Sequence, residues 1–416
     1  MNSRVDVAII GAGPYGLSIA AHLREAGVEH RVFGVPMESW STQMPFGMCL
    51  KSDAQASNLS DPDSSLTLER FAQANRIAYH PWRIPVRLSD FIAYGLAFQQ
   101  KFVPQVERAR LLSLRPDGRG AVLEFDCGDV VTARKVVLAT GVAAFKHVPT
   151  DLAALPAALV SHSAGYGSLA GLAGKEVAVV GGGSSAIDLA ALLAEEGARV
   201  TLLVRASKLE FQPTPLDGPE PLLRRATRRF LSPPSHGLGD GWLMRICSGY
   251  PGLFHLLPDS IRLAIVSNTL GPSGGYFVRD RVQRQVRVKL DSRILAAEEE
   301  GGRIRLSLSG SNGTRETLLA DRLIAATGYK VDLRKLDFLG PDVLANLRMV
   351  DHTPVLSARF EGSVPGLHFA GLMAARSFGP ALRFVMGARH PARKLARELP
   401  KSLARRAVSV PIPIES

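Results

Sequence analysis

A chain of 416 residues is two domain lengths or slightly more, enough to bury a large core without disulfide or metal staples. Hydrophobic residues at 46%, charged residues at 21%, and 39 glycines and 27 prolines spread without a period exclude a fibrous or mainly disordered chain. Lysine and arginine exceed aspartate and glutamate by 50 to 38, a charge of +12, yet aromatics are only 6%. None interleaves with the clusters Arg224, Arg225, Arg228, Arg229 and Arg405, Arg406, so no nucleic-acid partner is expected; phosphorylated cofactors and an anionic small-molecule substrate explain the charge.

In chain order, the first element is a strand over Val5–Ile10, followed by Gly11-Ala12-Gly13-Pro14-Tyr15-Gly16 and a helix from Leu17 to about Glu25 closed by Gly27. The strand His30–Phe33 completes a βαβ unit. The spacing G-x-G-x-x-G has a mechanical reason: one glycine for the tight turn, one for close approach of a pyrophosphate and one for helix–strand packing. The amides and dipole of the helix N-terminus then favour the phosphates. The acid expected about 20 residues on, for the ribose hydroxyls, is missing, since Gly34 follows Phe33 and the nearest acid is Glu38.

Residues 121–138 alternate as a β-meander and run into a strand ending in Ala139-Thr140-Gly141. The plan then repeats. Glu176–Val180 leads into Gly181-Gly182-Gly183-Ser184-Ser185-Ala186, a helix through Asp188 and Leu193 closed by Gly197, and the strand Arg199–Val204. Arg205, with Lys208 nearby, stands where a ribose 2′-phosphate would lie and favours NADPH over NADH. Residues 206–275 read as an irregular insertion with short helices. After it, Tyr276, Arg279 and Arg281 either face an anionic substrate or start a helix with ion pairs to Asp280. A strand ending in Ala326-Thr327-Gly328-Tyr329 follows, then another over Gly366–Gly371. The last helix is expected from about Pro380 to Leu399, with Arg389, Arg393, Lys394 and Arg397 on a solvated face.

Cys49, Cys127 and Cys247 lie far apart with no CxxC pair, so neither a dithiol site nor a metal ligand set is read. No apolar run approaches the roughly 18 residues of a spanning helix and no signal-peptide pattern precedes the first strand, so the expectation is a cytoplasmic protein without a membrane partner. The sequence is compatible with a homo-oligomer.

Two dinucleotide-type turns, two Ala-Thr-Gly segments and Gly366-Leu367-His368-Phe369-Ala370-Gly371 make nearly the whole chain resemble two-dinucleotide-binding-domain flavoproteins. Within them it looks most like class B flavin-dependent monooxygenases: the flavin-containing, Baeyer–Villiger and N-hydroxylating types. Met37-Glu38-Ser39-Trp40 stands where those enzymes carry a Gly-Gly-x-Trp-like segment. Lys51-Ser52 with Asn58 is similar to the Lys-Ser and Asn of flavin-containing monooxygenases, the Asn lying two residues further on. His162 and Tyr166 match half of the linker fingerprint before the second turn, while Pro156 and Ala158 replace its other half. Asp332 accompanies the second Ala-Thr-Gly-Tyr element as in that family. A disulfide reductase would need a redox cysteine pair.

The resemblance implies an α/β fold of two Rossmann-like domains, the second inserted into the first: FAD at 1–150, NADPH at 151–319, and the FAD domain again at 320–416. The cofactors implied are FAD, NADPH and O2. The chemistry implied is flavin reduction by NADPH, a flavin hydroperoxide protected by bound NADP⁺, and hydroxylation of a small polar or anionic nitrogen compound, for example a urate-like heterocycle. Cofactor contacts are expected at Gly11, Gly13, Pro14, Tyr15, Gly16, Glu38, Trp40, Lys51, Ser52, Thr140, Gly141, Gly181, Gly183, Ser184, Ser185, Arg205, Lys208, Thr327, Gly328 and Gly371. Asn58 is the candidate amide donor at the reacting flavin, or else an Asx-turn residue. Lys51 lies near the flavin edge or pairs with Asp53. His162 is given a structural linker role. A dehydrogenase or oxidase passing electrons to a quinone, a protein or O2 stays open, as does a non-enzymatic NADPH-sensing binder.

Overall fold

The computed structural model describes residues 2–118, 120–214, 235–236, 239–240, 249–269, 271–310 and 313–407. The first unit contains β1 (Asn2–Ile10), α1 (Pro14–Glu25), β2 (His30–Phe33), α2 (Leu88–Phe102), β3 (Val106–Glu107), β4 (Leu111–Asp117), β5 (Gly120–Phe125) and β6 (Val130–Leu138). The apolar run in β1 buries Val7, Ala8 and Ile9 completely, which is why this strand sits in the sheet interior. The sheet order is β3-β2-β1-β6-β5-β4. β1 runs parallel to β2 and β6 with Ile10 level with both Phe33 and Leu138, so three carboxyl ends finish at one edge. In open α/β sheets that edge takes the ligand. α1 starts three residues before the expected Leu17, because Pro14 has its φ preset for a first helical position and lacks an amide the turn would leave unbonded. Gly27, at φ 66°, follows its end.

The second unit contains β7 (Val160–His162), β8 (Glu176–Val180), α3 (Ser184–Glu195), β9 (Arg199–Leu203), α4 (Asp259–Asn268), α5 (Arg279–Gln285) and β10 (Arg287–Lys289). An antiparallel meander, β11 (Arg293–Glu300), β12 (Arg303–Ser309) and β13 (Arg315–Ala320), precedes β14 (Arg322–Ala325). The parallel sheet has the order β10-β9-β8-β14-β7. The expected return to the first unit at residue 320 is therefore placed too early. β14 lies between β8 and β7, and its apolar Leu323, Ile324 and Ala325 are completely buried there. Much of the 206–275 insertion (215–234, 237–238, 241–248 and 270) lies outside the described residues; its described part includes α4.

The chain rejoins the first sheet through β15 (Leu367–Phe369), parallel to β6 with Leu367 beside Val136. The final helix, α6 (Arg389–Ala407), starts later than the expected Pro380 and runs past Leu399. Residues 380–388 instead form two 3-10 turns, divided at Phe384, whose backbone is extended, and Pro400 is carried inside the helix. α6 packs on α1. No described helix is long and apolar enough to cross a membrane.

Candidate dinucleotide sites and the seam between them

The first glycine turn divides its labour residue by residue. Gly11 has φ 113°, and a Cβ there would lie 2.3 Å from the Ala139 carbonyl oxygen. A Cβ on Gly16 would meet the Gly11 oxygen at 1.8 Å, so this glycine allows α1 to close on the turn. Gly13 has nothing within 4 Å of a Cβ position, an open cradle at the mouth of α1, and no side chain caps that helix. Beside the turn, the Thr140 hydroxyl is buried with no partner among the described residues. An uncapped helix mouth, an open glycine and an orphaned hydroxyl together fit a phosphate-bearing group.

The missing acid has a steric explanation. A Cβ on Gly34, itself at φ 130°, would sit a tight 3.3 Å from the Ala12 nitrogen, so the strand end lies close on the glycine turn in a conformation that favours glycine over a carboxylate residue. The Met37 amide donates to the Ala12 carbonyl at 3.1 Å and positions the helical turn that begins at Glu38, whose side chain is exposed. Trp40 packs edge-on against Phe91 of α2 at 4.6 Å. Tyr15 turns inward: its hydroxyl lies 2.7 Å from the Leu382 carbonyl and 2.8 Å from that of Phe384. Its ring is 3.6 Å from a Cβ position on Gly371. It thus fastens the glycine turn to the C-terminal segment.

The second turn copies the first. Gly181 has φ 142°, and its Cβ would lie 2.4 Å from the Ala326 oxygen. Ala186 takes the place of the third glycine and is completely buried. Gly183 precedes α3 without a side-chain cap, and its nearest neighbour is Pro272 Cβ at 3.7 Å from a Cβ position. Ser184 Oγ donates to Asp188 Oδ2 at 2.8 Å, while Ser185 is exposed. Asp188 is 3% exposed, and burial pushes its carboxyl up to about 6, against the Ser184 hydrogen bond and the charges of Arg281 and Lys51. Arg205 is exposed with no ion pair among the described residues, whereas Lys208 pairs with Glu210 at 2.5 Å.

The two Ala-Thr-Gly segments differ. The Thr327 hydroxyl donates to the His147 carbonyl, so unlike that of Thr140 it is spent inside the protein. Gly141 and Gly328 both have positive φ, 72° and 79°. His162 accepts from the Ala164 amide at Nδ1 and donates from Nε2 to the Gly328 carbonyl at 2.9 Å, which joins β7 to the turn after β14. Tyr166 bonds Ser161.

At the seam between the units, Lys51 is engaged by a serine. Its Nζ donates to Ser273 Oγ at 2.6 Å, across from the first unit to the second, and burial lowers its pKa. Ser52 beside it is half-buried. Asn58 is held at both ends of its amide: Nδ2 donates to the Gln55 carbonyl and Oδ1 accepts from the Leu68 amide at 2.7 Å, a loop brace with one Nδ2 hydrogen left. The three candidate substrate residues are also engaged. Tyr276 donates to the Arg83 carbonyl, Arg279 lies over the Phe211 ring and donates to the Gln212 carbonyl, and Arg281 forks onto Glu195 at 2.5 and 2.6 Å. The ion pair is thus with Glu195 of α3, not with Asp280, and each of the three bonds a different partner. Asp188 and Ser273 went unmarked as site residues in the sequence; the i, i+4 spacing of Ser184 and Asp188 was the one signal for the former.

The family model for pyridine nucleotide-disulphide oxidoreductases matches residues 5–217, just over half of the chain, and takes in both glycine turns. The chain belongs to that family. As a member it is a pyridine-nucleotide oxidoreductase, and both turns fit a dinucleotide. The sequence has no CxxC pair to match the disulphide of the family's name; among the described residues Cys49 and Cys127 are free, and Cys247 lies outside them. Among curated proteins, the FAD-dependent urate hydroxylase of Xanthomonas campestris pv. campestris is 30% identical over 220 residues, 49% of this chain and 46% of that protein. A ferredoxin–NADP reductase of Ignicoccus hospitalis is 25% identical over 232 residues, 55% of this chain and 64% of that protein. The match thus spans only about half to two thirds of these relatives. Among solved structures, the ornithine N-hydroxylase of Kutzneria sp. 744, with reduced FAD, NADP⁺ and L-ornithine, superposes with a TM-score of 0.74 at 16% identity, over 96% of this chain and 100% of that one. The two-dinucleotide fold is therefore present over nearly the whole chain.

Proposed function

We propose that the protein is an NADPH- and FAD-dependent monooxygenase hydroxylating a small polar or anionic nitrogen compound, an amine or a urate-like heterocycle. The observation that carries this reading is an electron-acceptor argument. Two dinucleotide turns are built to the same plan, yet the sequence holds no CxxC pair to receive the electrons that NADPH delivers. Bound FAD supplies hydride acceptance and oxygen activation. The Gly13 cradle and the Thr140 hydroxyl hold its phosphates, with Glu38 taking the ribose in place of the acid missing at Gly34. Gly183, Ser184 and Ser185 hold the NADPH phosphates, and Arg205 meets the 2′-phosphate. Lys51, drawn to the seam by Ser273, orders the 49–53 segment where the two cofactors approach each other. Asn58 braces the neighbouring loop and offers its last N–H toward the reacting centre. The urate hydroxylase and ornithine N-hydroxylase relatives support the substrate class.

The ferredoxin–NADP reductase relative favours a second reading, in which the same electrons leave to a protein or quinone. Coupling separates them. Purified FAD-loaded protein would be supplied with NADPH and O2, then screened against urate, other purines and diamines. A monooxygenase consumes NADPH in step with hydroxylated product and releases less peroxide when substrate is present. Peroxide release unchanged by every candidate, with rapid reduction of an added ferredoxin or quinone, overturns the proposal.

A further inference from the structure

The second glycine turn carries a buried carboxyl that dinucleotide binding, as described so far, leaves unused. Asp188 stands one turn into α3 and is 3% exposed, with Oδ2 accepting from Ser184 Oγ and Oδ1 buried without a partner among the described residues. The charged and titratable groups that face it are Arg281 of α5 and Lys51 and Cys49 of the first unit. Neither cation closes on it: Arg281 is forked onto Glu195 and Lys51 is bonded to Ser273. A serine hydroxyl has a single proton. While Ser184 gives that proton to the Asp188 carboxylate, it shows only lone pairs to the mouth of α3, where an anionic phosphate belongs.

We propose that Asp188 takes up one proton when a pyridine dinucleotide occupies the second glycine turn, and that this frees the Ser184 hydroxyl to donate to a phosphate oxygen. The inference rests on the assignment of that turn to NADP(H). The balance is simple. One proton moves from solvent to the carboxylate, the new acid O–H donates to Ser184 Oγ, and Ser184 O–H swings to the phosphate; no bond between heavy atoms changes. Burial already favours the acid form, and the phosphate charges push the same way. Affinity is then highest at low pH and weakens as pH rises from the free-site value toward the bound-site value. The linkage limit is about tenfold in Kd per pH unit. An asparagine at 188 has an amide that can donate to Ser184 as the acid does, so Asp188→Asn binds at high pH as the wild type binds at low pH.

The test is calorimetric titration of the FAD-loaded full chain with NADP⁺ across about pH 6 to 8. Two buffers of different ionisation heat at each pH give the protons taken up. The ligand's own 2′-phosphate titrates equally with every protein, so differences between variants isolate Asp188. Expected are greater proton uptake by the wild type than by Asp188→Asn, and tighter binding by the variant at the alkaline end. Ser184→Ala removes the hydroxyl that links the acid to the phosphate and raises the free-site value of Asp188, so its uptake falls below that of the wild type, and it carries the test if Asp188→Asn does not fold. Equal uptake in wild type and the variants overturns the proposal while leaving the NADP(H) assignment standing. Failure of NADP⁺ to bind any of them overturns both.

Discussion

Two threonines in the same local motif show how one residue acquires a task. Thr327 spends its hydroxyl on the His147 carbonyl, while Thr140 keeps its hydroxyl buried and unpaired beside the first glycine turn. An unpaired buried hydroxyl costs roughly 1–3 kcal/mol, a cost that a bound phosphate or ribose would recover. Thr140→Val should therefore leave the apoprotein as stable or more stable by about 1 kcal/mol in urea denaturation, yet raise the Kd for FAD severalfold. Equal loss of stability in apo and FAD-loaded protein would assign Thr140 a purely structural place. The sequence marked both threonines alike, since spacing reports the turn and not the partner that packing brings to it. Gly34 shows the reverse: the absence of an acid was visible, but only folding shows the positive φ and the 3.3 Å approach to Ala12 that favour glycine there.

At the scale of elements, the strand–turn–helix units were legible because each combines a short apolar run, a glycine pattern and a closing glycine. The assignment of strands to sheets was not. β14 reads locally like the strand that ends in Thr140, yet it belongs with β7 and β8. His162 marks the join, since its ring bonds the Ala164 amide and the Gly328 carbonyl at once. His162→Ala should cost about 2 kcal/mol through two lost hydrogen bonds, one leaving a half-buried carbonyl. Hydrogen exchange should quicken around residues 160–164 and 327–329 while α1 stays protected. Uniform quickening across both sheets would instead mean that the join holds the whole molecule together.

The pH response of the whole molecule draws on buried and half-buried histidines. Burial lowers His22, His368 and His390 each to about 4, and lowers His162 as well. A depressed histidine binds its proton first in the unfolded chain, so its stabilising effect is complete above about 6.5 and is lost as pH falls toward 4. For His22, 7% exposed, the loss is on the order of 3 kcal/mol. Asp188 acts oppositely, its raised value giving back stability as pH falls through about 6. Three histidines outweigh one carboxyl, so the free energy of unfolding should rise with pH between about 4 and 6.5. Urea denaturation at several pH values checks this, and a flat or falling profile contradicts it.

The sequence by itself determined the two dinucleotide turns, the strands and helices around them, and the absence of a CxxC motif, because glycine spacing and apolar periodicity are local consequences of backbone geometry. Tertiary structure alone decided that Gly34 lies tight against the glycine turn, that Lys51 reaches Ser273, that Arg281 pairs with Glu195, and that the two threonines part company. Each of these depends on which distant segment folding brings within a few ångströms, and hydrogen bonds and steric contact act only over that range.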